Sequence, residues 1–472
     1  MPLTREGRWH GVTFLGLGLC LSLYYFSASV WMAIIGGLMF TALATWRLFP
    51  ALAWVVLTIP FYRFPKAFAP TSLGLSTLLG RTASLEFSLT EFTVLACLVA
   101  WVVGRGLGIA DGQSRKTPPW RLLKEVPHGE AVLTFLAVAT ISLFISQYLK
   151  YSLREYRVVI LEPIVFYILL TNVRQPRERM YLAQVFIFLG AMVAIFSLYH
   201  YFFIGMVEAT GGVRRLLAVY HSPNALALFL GRFLAFCWPF VLLPPSRSCQ
   251  RWLYLLAFGL GLAALYLTYS RGAWLAVGVA VCFVVTLVGS RRLLLAAAGA
   301  GVLLSAALAF LLPWGRLLSQ ATSARRLYVW QAAWNMIRDH PLFGVGLDNF
   351  LYHYPNYMLK EAWPEPNISH PHNVLLDFWT RLGILGVLAM VWLQTIFWRN
   401  GVHLYRRLAP GGERTLVLAL MAGMLEGLVH GLIDNSFFLI DLAMIFWLFF
   451  ALMALLQRFS AHAPLERQPG YG

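Results

Sequence analysis

About fourteen apolar runs constrain this chain more than any other feature. They fall near residues 11–26, 30–46, 48–61, 89–104, 131–148, 158–171, 181–205, 223–243, 252–269, 273–289, 292–312, 373–398, 415–434 and 437–457. Backbone N–H and C=O groups in hydrocarbon must pair within their own segment, so runs approaching ~20 apolar residues become membrane-crossing helices. The predicted fold is therefore an all-α, polytopic transmembrane bundle of about 12–14 spans. The first three runs are short for a straight crossing. Only 12% of the residues are charged against 59% hydrophobic, which excludes an ordinary soluble domain.

The formal net charge of +17 would suit nucleic acid, but the arginines sit in short patches between apolar runs. That placement marks topology and lipid headgroups, not a nucleic-acid surface. Arg115, Lys116, Arg121 and Lys124 mark one cytoplasmic loop, and Arg174, Arg177 and Arg179 a second. Arg247 with Arg251, Arg291 with Arg292, and Arg399, Arg406, Arg407 and Arg414 mark three more. The loops between them then face outward. These carry Arg214 and Arg215, the turn at Arg271, and a long loop over 313–372. Cations on that face run against the usual bias and call for a functional reason. Five scattered cysteines (Cys20, Cys97, Cys237, Cys249, Cys282) show no metal-binding or disulfide pattern.

The long loop ends in Ser369-His370-Pro371-His372-Asn373-Val374-Leu375-Leu376-Asp377, where the chain re-enters the membrane. Pro371 suits the first turn of the following helix, which would leave His372 and Asn373 among unpaired helix amides. A neutral imidazole there can accept a proton, and the amides can hold an anion. The bland alternative is a capping or interface pair. Earlier in the loop, Leu327, Trp330, Trp334 and Ile337 predict an amphipathic helix over 323–338. Asp339-His340-Pro341 ends it, Gly344-Val345-Gly346 makes a turn, and Tyr352, Tyr354, Tyr357 and Trp363 suit stacking on sugars.

No DxD, HExxH, P-loop or GxSxG is present, so no divalent-metal or nucleotide-hydrolysing site is advertised. Phosphate chemistry would then rely on arginine, whose planar guanidinium binds phosphate oxygens bidentately. Arg271 is read as a diphosphate clamp or a snorkelling side chain. Arg215, nine residues before Asn224, is a second clamp or a loop cation beside a helix cap. Arg326 is a substrate contact or a headgroup-facing charge. Glu426, His430 and Asp434 share one face of a span; Asp434 is positioned to pair with a site arginine, and Glu426 with His430 is read as a buried structural pair or part of a proton path. Glu162, within another span, looks isolated.

These pieces together resemble the O-antigen ligase and polymerase superfamily of bacterial envelope proteins. The resemblance rests on Arg215-Leu216-Leu217-Ala218 with Ser222-Pro223-Asn224, and on Ser270-Arg271-Gly272-Ala273-Trp274. It continues through Arg326-Leu327-Tyr328-Val329-Trp330 and His340-Pro341-Leu342-Phe343-Gly344-Val345-Gly346. It closes with His370-Pro371-His372-Asn373 leading to Arg381-Leu382-Gly383. Relatives often have a small or acidic residue where Pro371 stands, and an acidic one near Trp379-Thr380-Arg381.

The resemblance implies a glycosyltransferase C-like helical fold: N-terminal helices over 1–130, a catalytic region over 131–458 and a disordered tail over 459–472. It implies metal-independent, inverting transfer of a polyprenyl-diphosphate-linked glycan to a lipid or glycan hydroxyl, without a cofactor. The reaction would lie on the extracytoplasmic face of the cytoplasmic membrane. Arg215 and Arg271 would hold the diphosphate, and His372, with His370 as second choice, would be the base. Arg326, Asn224, Asn373 and Asp434 would line the substrate. A polysaccharide polymerase of the same superfamily is the alternative. A proton-coupled transporter or flippase using the Glu426, His430 and Asp434 face is the alternative from another class.

Overall fold

The computed structural model describes residues 5–68, 85–108, 126–173, 175–205, 207–210, 213–243, 248–289, 320–362 and 367–460. Its first helices are α1 (Arg5–Phe26), α2 (Val30–Trp46), α3 (Leu48–Thr58), α4 (Leu89–Gly106) and α5 (Gly129–Ile145). Next come α6 (Leu149–Glu155) and α7 (Glu162–Leu170), joined through a π-helical turn, and then α8 (Pro176–Tyr199), α9 (Pro223–Leu242) and α10 (Ser248–Leu267). The rest are α11 (Arg271–Val288), α12 (Gln320–Asp339), α13 (Phe350–Tyr357), α14 (Val374–Arg407), α15 (Gly412–Gly431) and α16 (Ile440–Ser460). Strands among the described residues form two small hairpins, of which Val207–Thr210 with Val213–Leu216 carries Arg215.

Every predicted apolar run except 292–312 lies on a helix; that run is outside the described residues. So are Arg115, Lys116, Arg121, Lys124, Arg174, Arg247, Arg291, Arg292, Trp363 and the tail from 461. Among the described residues, nine helices are long and apolar enough to cross a membrane, and three shorter apolar ones accompany them. This is an all-α, multi-pass membrane protein.

The centre of the bundle is α9, α15 and α16, whose Phe233, Phe236, Trp447 and Phe449 are buried. Arg179, predicted only as a topology marker, is buried near the start of α8. It pairs with Glu413 at 2.6 Å and lies 4.7 Å from the Phe459 ring, pinning α8, α15 and α16 at one end. Glu162 is not isolated. Arg157 bridges it at 4.0 Å to Glu91 at 2.6 Å.

The long loop folds on itself. α12 and α13 enclose a separate core of Val329, Ala332, Ala333, Met336, Val345, Phe350 and Tyr354. The predicted amphipathic helix is present, and the face it turns to this core is mainly the one with Val329, Ala332, Ala333 and Met336. Ile337 is buried, but Leu327 is 59% and Trp334 49% exposed. Ala332 and Ala333 let the helix approach closely, so the bulky aromatic stripe is turned outward. Tyr354 is likewise core, and Tyr357 donates to Asp339 Oδ2 at 2.9 Å. Tyr352 stacks on Tyr148 and Tyr151 at 4.3 and 4.9 Å.

Two devices fasten this loop to the bundle. At Gly383 α14 kinks (φ 68°, ψ −170°), and Pro341 O accepts from both Ile384 N at 3.0 Å and Trp379 Nε1 at 2.9 Å. A Cβ on Gly383 would come within 2.1 Å of Leu342 O. The second device is Arg381, buried between both Glu155 oxygens at 2.6 Å and Asp377 Oδ1 at 2.7 Å. Its Nη2 also lies 3.4 Å from Ser369 O, the residue before His370.

Two variants test these fasteners by thermal unfolding in detergent. Gly383→Ala is expected to cost about 2 kcal/mol or more, since it adds left-handed strain to a backbone clash. Arg381→Met, which strands two buried carboxylates, is expected to cost about 3–5 kcal/mol.

Candidate active site

The site grows from the turn between α15 and α16. α15 stops at Gly431, because the Ile433 and Asp434 amides both close back onto His430 O at 3.0 Å. The Asn435 side chain then accepts from Phe437 N at 3.2 Å and Phe438 N at 2.9 Å, an Asx-type turn. Asp434 therefore sits beyond the helix, not on one face with Glu426 and His430 as the spacing predicted. Those two pair inside the bundle, His430 Nδ1 lying 3.0 Å from Glu426 Oε1. Arg232 of α9 lies 4.0 Å from Glu426 Oε2 and donates to Leu442 O at 3.0 Å and to Ser436 O. The buried pair thus supports the turn that carries Asp434.

Asp434 gathers the predicted cations of the long loop. His372 Nδ1 lies 2.9 Å from its Oδ1, and His370 Nε2 lies 3.6 Å from the same oxygen. Arg326 Nη2 approaches the other oxygen at 3.9 Å. Burial alone would raise the Asp434 carboxyl, but the two imidazoles hold it well below the ordinary carboxylate range. A carboxylate only accepts, so a neutral His372 in this contact has its proton on Nδ1 and a lone pair on Nε2.

The local conformation differs from that expected. Pro371 does not open the helix; α14 starts at Val374 with Asn373 as its N-cap. Asn373 Oδ1 accepts from Leu375 N at 3.0 Å and Leu376 N at 3.2 Å, and Nδ2 donates to Leu432 O at 3.0 Å. An asparagine cap outcompetes a proline start because it satisfies two orphan amides at once. Those two amides are therefore capped rather than open to an anion. His372 adopts a left-handed conformation (φ 52°), which turns its ring toward Asp434 instead of along the helix.

The arginines of the bundle lie at the same end. Arg215 donates to Thr268 O and to Asn224 Oδ1, both at 2.9 Å. Asn224 thus orients Arg215. Thr268 is three residues before Arg271, the exposed first residue of α11. A Cβ on the next residue, Gly272, would come within 2.5 Å of Ile433, the neighbour of Asp434. So α11 begins against the turn that holds the imidazoles.

Two residues were not anticipated. Arg63 donates to Val219 O at 3.0 Å. Burial, Arg63 and His370 together hold the nearby His221 imidazole below its ordinary value, with Asp434 opposing them. His221 directly precedes the Ser222-Pro223-Asn224 motif, which was its only sequence signal. Beside Val374 and Leu375, a half-open, mostly apolar cavity of about 490 Å³ runs along α14 past Val391 to Arg399.

Residues 256–391 match the family model described as O-antigen ligase, a stretch holding Arg271, Arg326, His370 and His372. No curated protein matches the chain. The family match runs from α10 into α14, so this multi-pass membrane protein carries a region similar to the O-antigen ligase family across those helices.

Proposed function

We propose that the protein transfers a glycan from a polyprenyl-diphosphate donor to an acceptor hydroxyl, in the manner of an O-antigen ligase. The observation that carries this reading is the His372–Asp434 dyad, set at the same end of the bundle as Arg215 and Arg271. His372 Nε2 takes the acceptor's O–H proton as that oxygen attacks the anomeric carbon. The bond from that carbon to the diphosphate oxygen breaks on the opposite face, which inverts the centre. Arg215 and Arg271 balance the charge that gathers on the departing diphosphate, the contribution usually largest in such a step. Arg326 extends this positive rim beside Asp434, and the apolar cavity along α14 offers a place for a lipid chain.

Orientation follows from charge. Arg399, Arg406, Arg407 and Arg414 lie at the opposite end of α14 and α15 from His372. Under the positive-inside rule the dyad then faces outward from the cytoplasmic membrane. Asn224 and Asn373 act as positioning residues, the first on Arg215 and the second on the α14 start.

The assay is transfer of a lipid-linked glycan by the purified protein in liposomes. Arg271→Ala and His372→Ala are each expected to lower turnover by about 100-fold or more; near-normal turnover in both overturns the assignment. Asp434→Asn should reduce kcat more than it changes KM. Its amide would donate to Nδ1 and move the imidazole proton onto Nε2. Activity is expected to survive EDTA, and a loss restored by Mg²⁺ would contradict the arginine-based scheme.

A further inference from the structure

We infer that His370, His372 and Asp434 form a binding site for a transition-metal ion of the Zn²⁺ class, and that metal bound there blocks the proposed transfer. The blocking clause rests on the function proposed above; the binding clause stands without it.

Three side chains each bring one ligand atom to within 4.8 Å of the others. His372 Nδ1 and His370 Nε2 both face Asp434 Oδ1, at 2.9 and 3.6 Å. Donor atoms around a tetrahedral zinc, with bonds of about 2.0–2.2 Å, stand roughly 3.3 Å apart. The observed separations bracket that value, so an ion needs only small side-chain shifts. The scaffold is already set, since the imidazole centroids are 4.3 Å apart and His372 is held in its left-handed turn. Both rings keep part of their surface exposed, 19% for His370 and 29% for His372, which leaves a way in. Arg326 approaches Oδ2 at 3.9 Å, whereas both imidazoles approach Oδ1.

Ligand chemistry sets the class of ion. Two imidazole nitrogens and one carboxylate oxygen suit Zn²⁺, Co²⁺, Ni²⁺ or Cu²⁺, whereas Mg²⁺ and Ca²⁺ require mostly oxygen donors. The same geometry explains inhibition. Metal on Nδ1 of His372 displaces the proton shared with Asp434, and a neutral ring then carries its proton on Nε2. That is the atom required to accept the acceptor's proton, so a metal-loaded dyad has no base.

The test is an optical titration of EDTA-stripped, full-length protein with Co²⁺. One equivalent is expected to bind with visible d–d bands that Zn²⁺ abolishes and Mg²⁺ leaves unchanged. His370→Ala, His372→Ala and Asp434→Asn should each lose the bands while keeping the wild-type elution profile in detergent. Bands absent from the wild type, or retained in all three variants, overturn the site. Should any variant lose its elution profile, His370→Gln serves in its place, and bands that survive it likewise overturn the site. In the transfer assay, micromolar Zn²⁺ should lower the rate by at least about 10-fold, with recovery on adding EDTA. Full activity in metal-saturated protein overturns the blocking clause. A protein with no transferase activity, yet with the bands and their loss in the variants, would refute the proposed function and leave the site standing.

Discussion

A buried carboxylate at the end of a membrane helix is costly unless its oxygens find donors. Asp434 is 5% exposed, and nearly everything around it exists to supply them. His372 and His370 face one oxygen, Arg326 the other, and the Asn435 amide adds a bond of 2.9 Å. The requirement works in both directions. Without the carboxylate the two imidazoles would have no fixed orientation, and without the imidazoles the ionised carboxylate would lack its strongest partners. One pairing thus joins the turn after α15 to the end of the long loop.

The two sides of that pairing are held by different means. On the bundle side, Arg232 reaches from α9 to the carbonyls of Ser436 and Leu442, and Glu426 and His430 stand behind it. On the loop side, a small separate core keeps α12 and α13 together, while Gly383 and Arg381 fasten that unit to α14. The Val207–Thr210/Val213–Leu216 hairpin and the start of α11 therefore set the positions of Arg215 and Arg271, whereas the folded loop brings in the imidazoles. Preorganisation of this kind lets fixed positive charge stabilise a leaving group without rearrangement.

Much of this was legible from residue type and spacing. The all-α class and the membrane class follow from apolar runs, because the bilayer allows few other solutions. Arg215 and Arg271 stood out as cations on the face that topology should leave poor in them, and the two histidines as imidazoles where the long loop re-enters the membrane. Details fixed by competition were not legible. Asn373 captured the helix start that Pro371 advertised, because two satisfied amides outweigh a preset φ. α12 buried its alanine stripe in place of its aromatic one, since close approach depends on the partner surface. Asp434 continued a helical spacing on paper, yet Asn435 offered the backbone a turn instead. Arg63 and His221 were invisible because their roles depend on contacts between distant segments.

The packing around Glu426 and His430 decides between the two readings that their spacing allowed, a buried structural pair and a proton path. Ionisable residues one turn apart in a span read as a proton path by default. Here Arg232 neutralises the pair from a neighbouring helix and spends its remaining donors on the carbonyls of the next turn. A relay needs its members to exchange protons along a line, but Asp434 faces away from His430 toward His372. The charge in the span therefore serves as foundation, and in the proposed transfer the proton that matters is the one between His372 and Asp434. Which ring nitrogen carries it decides whether the imidazole can accept another, so one hydrogen bond at the membrane surface sets the chemistry available to the whole bundle.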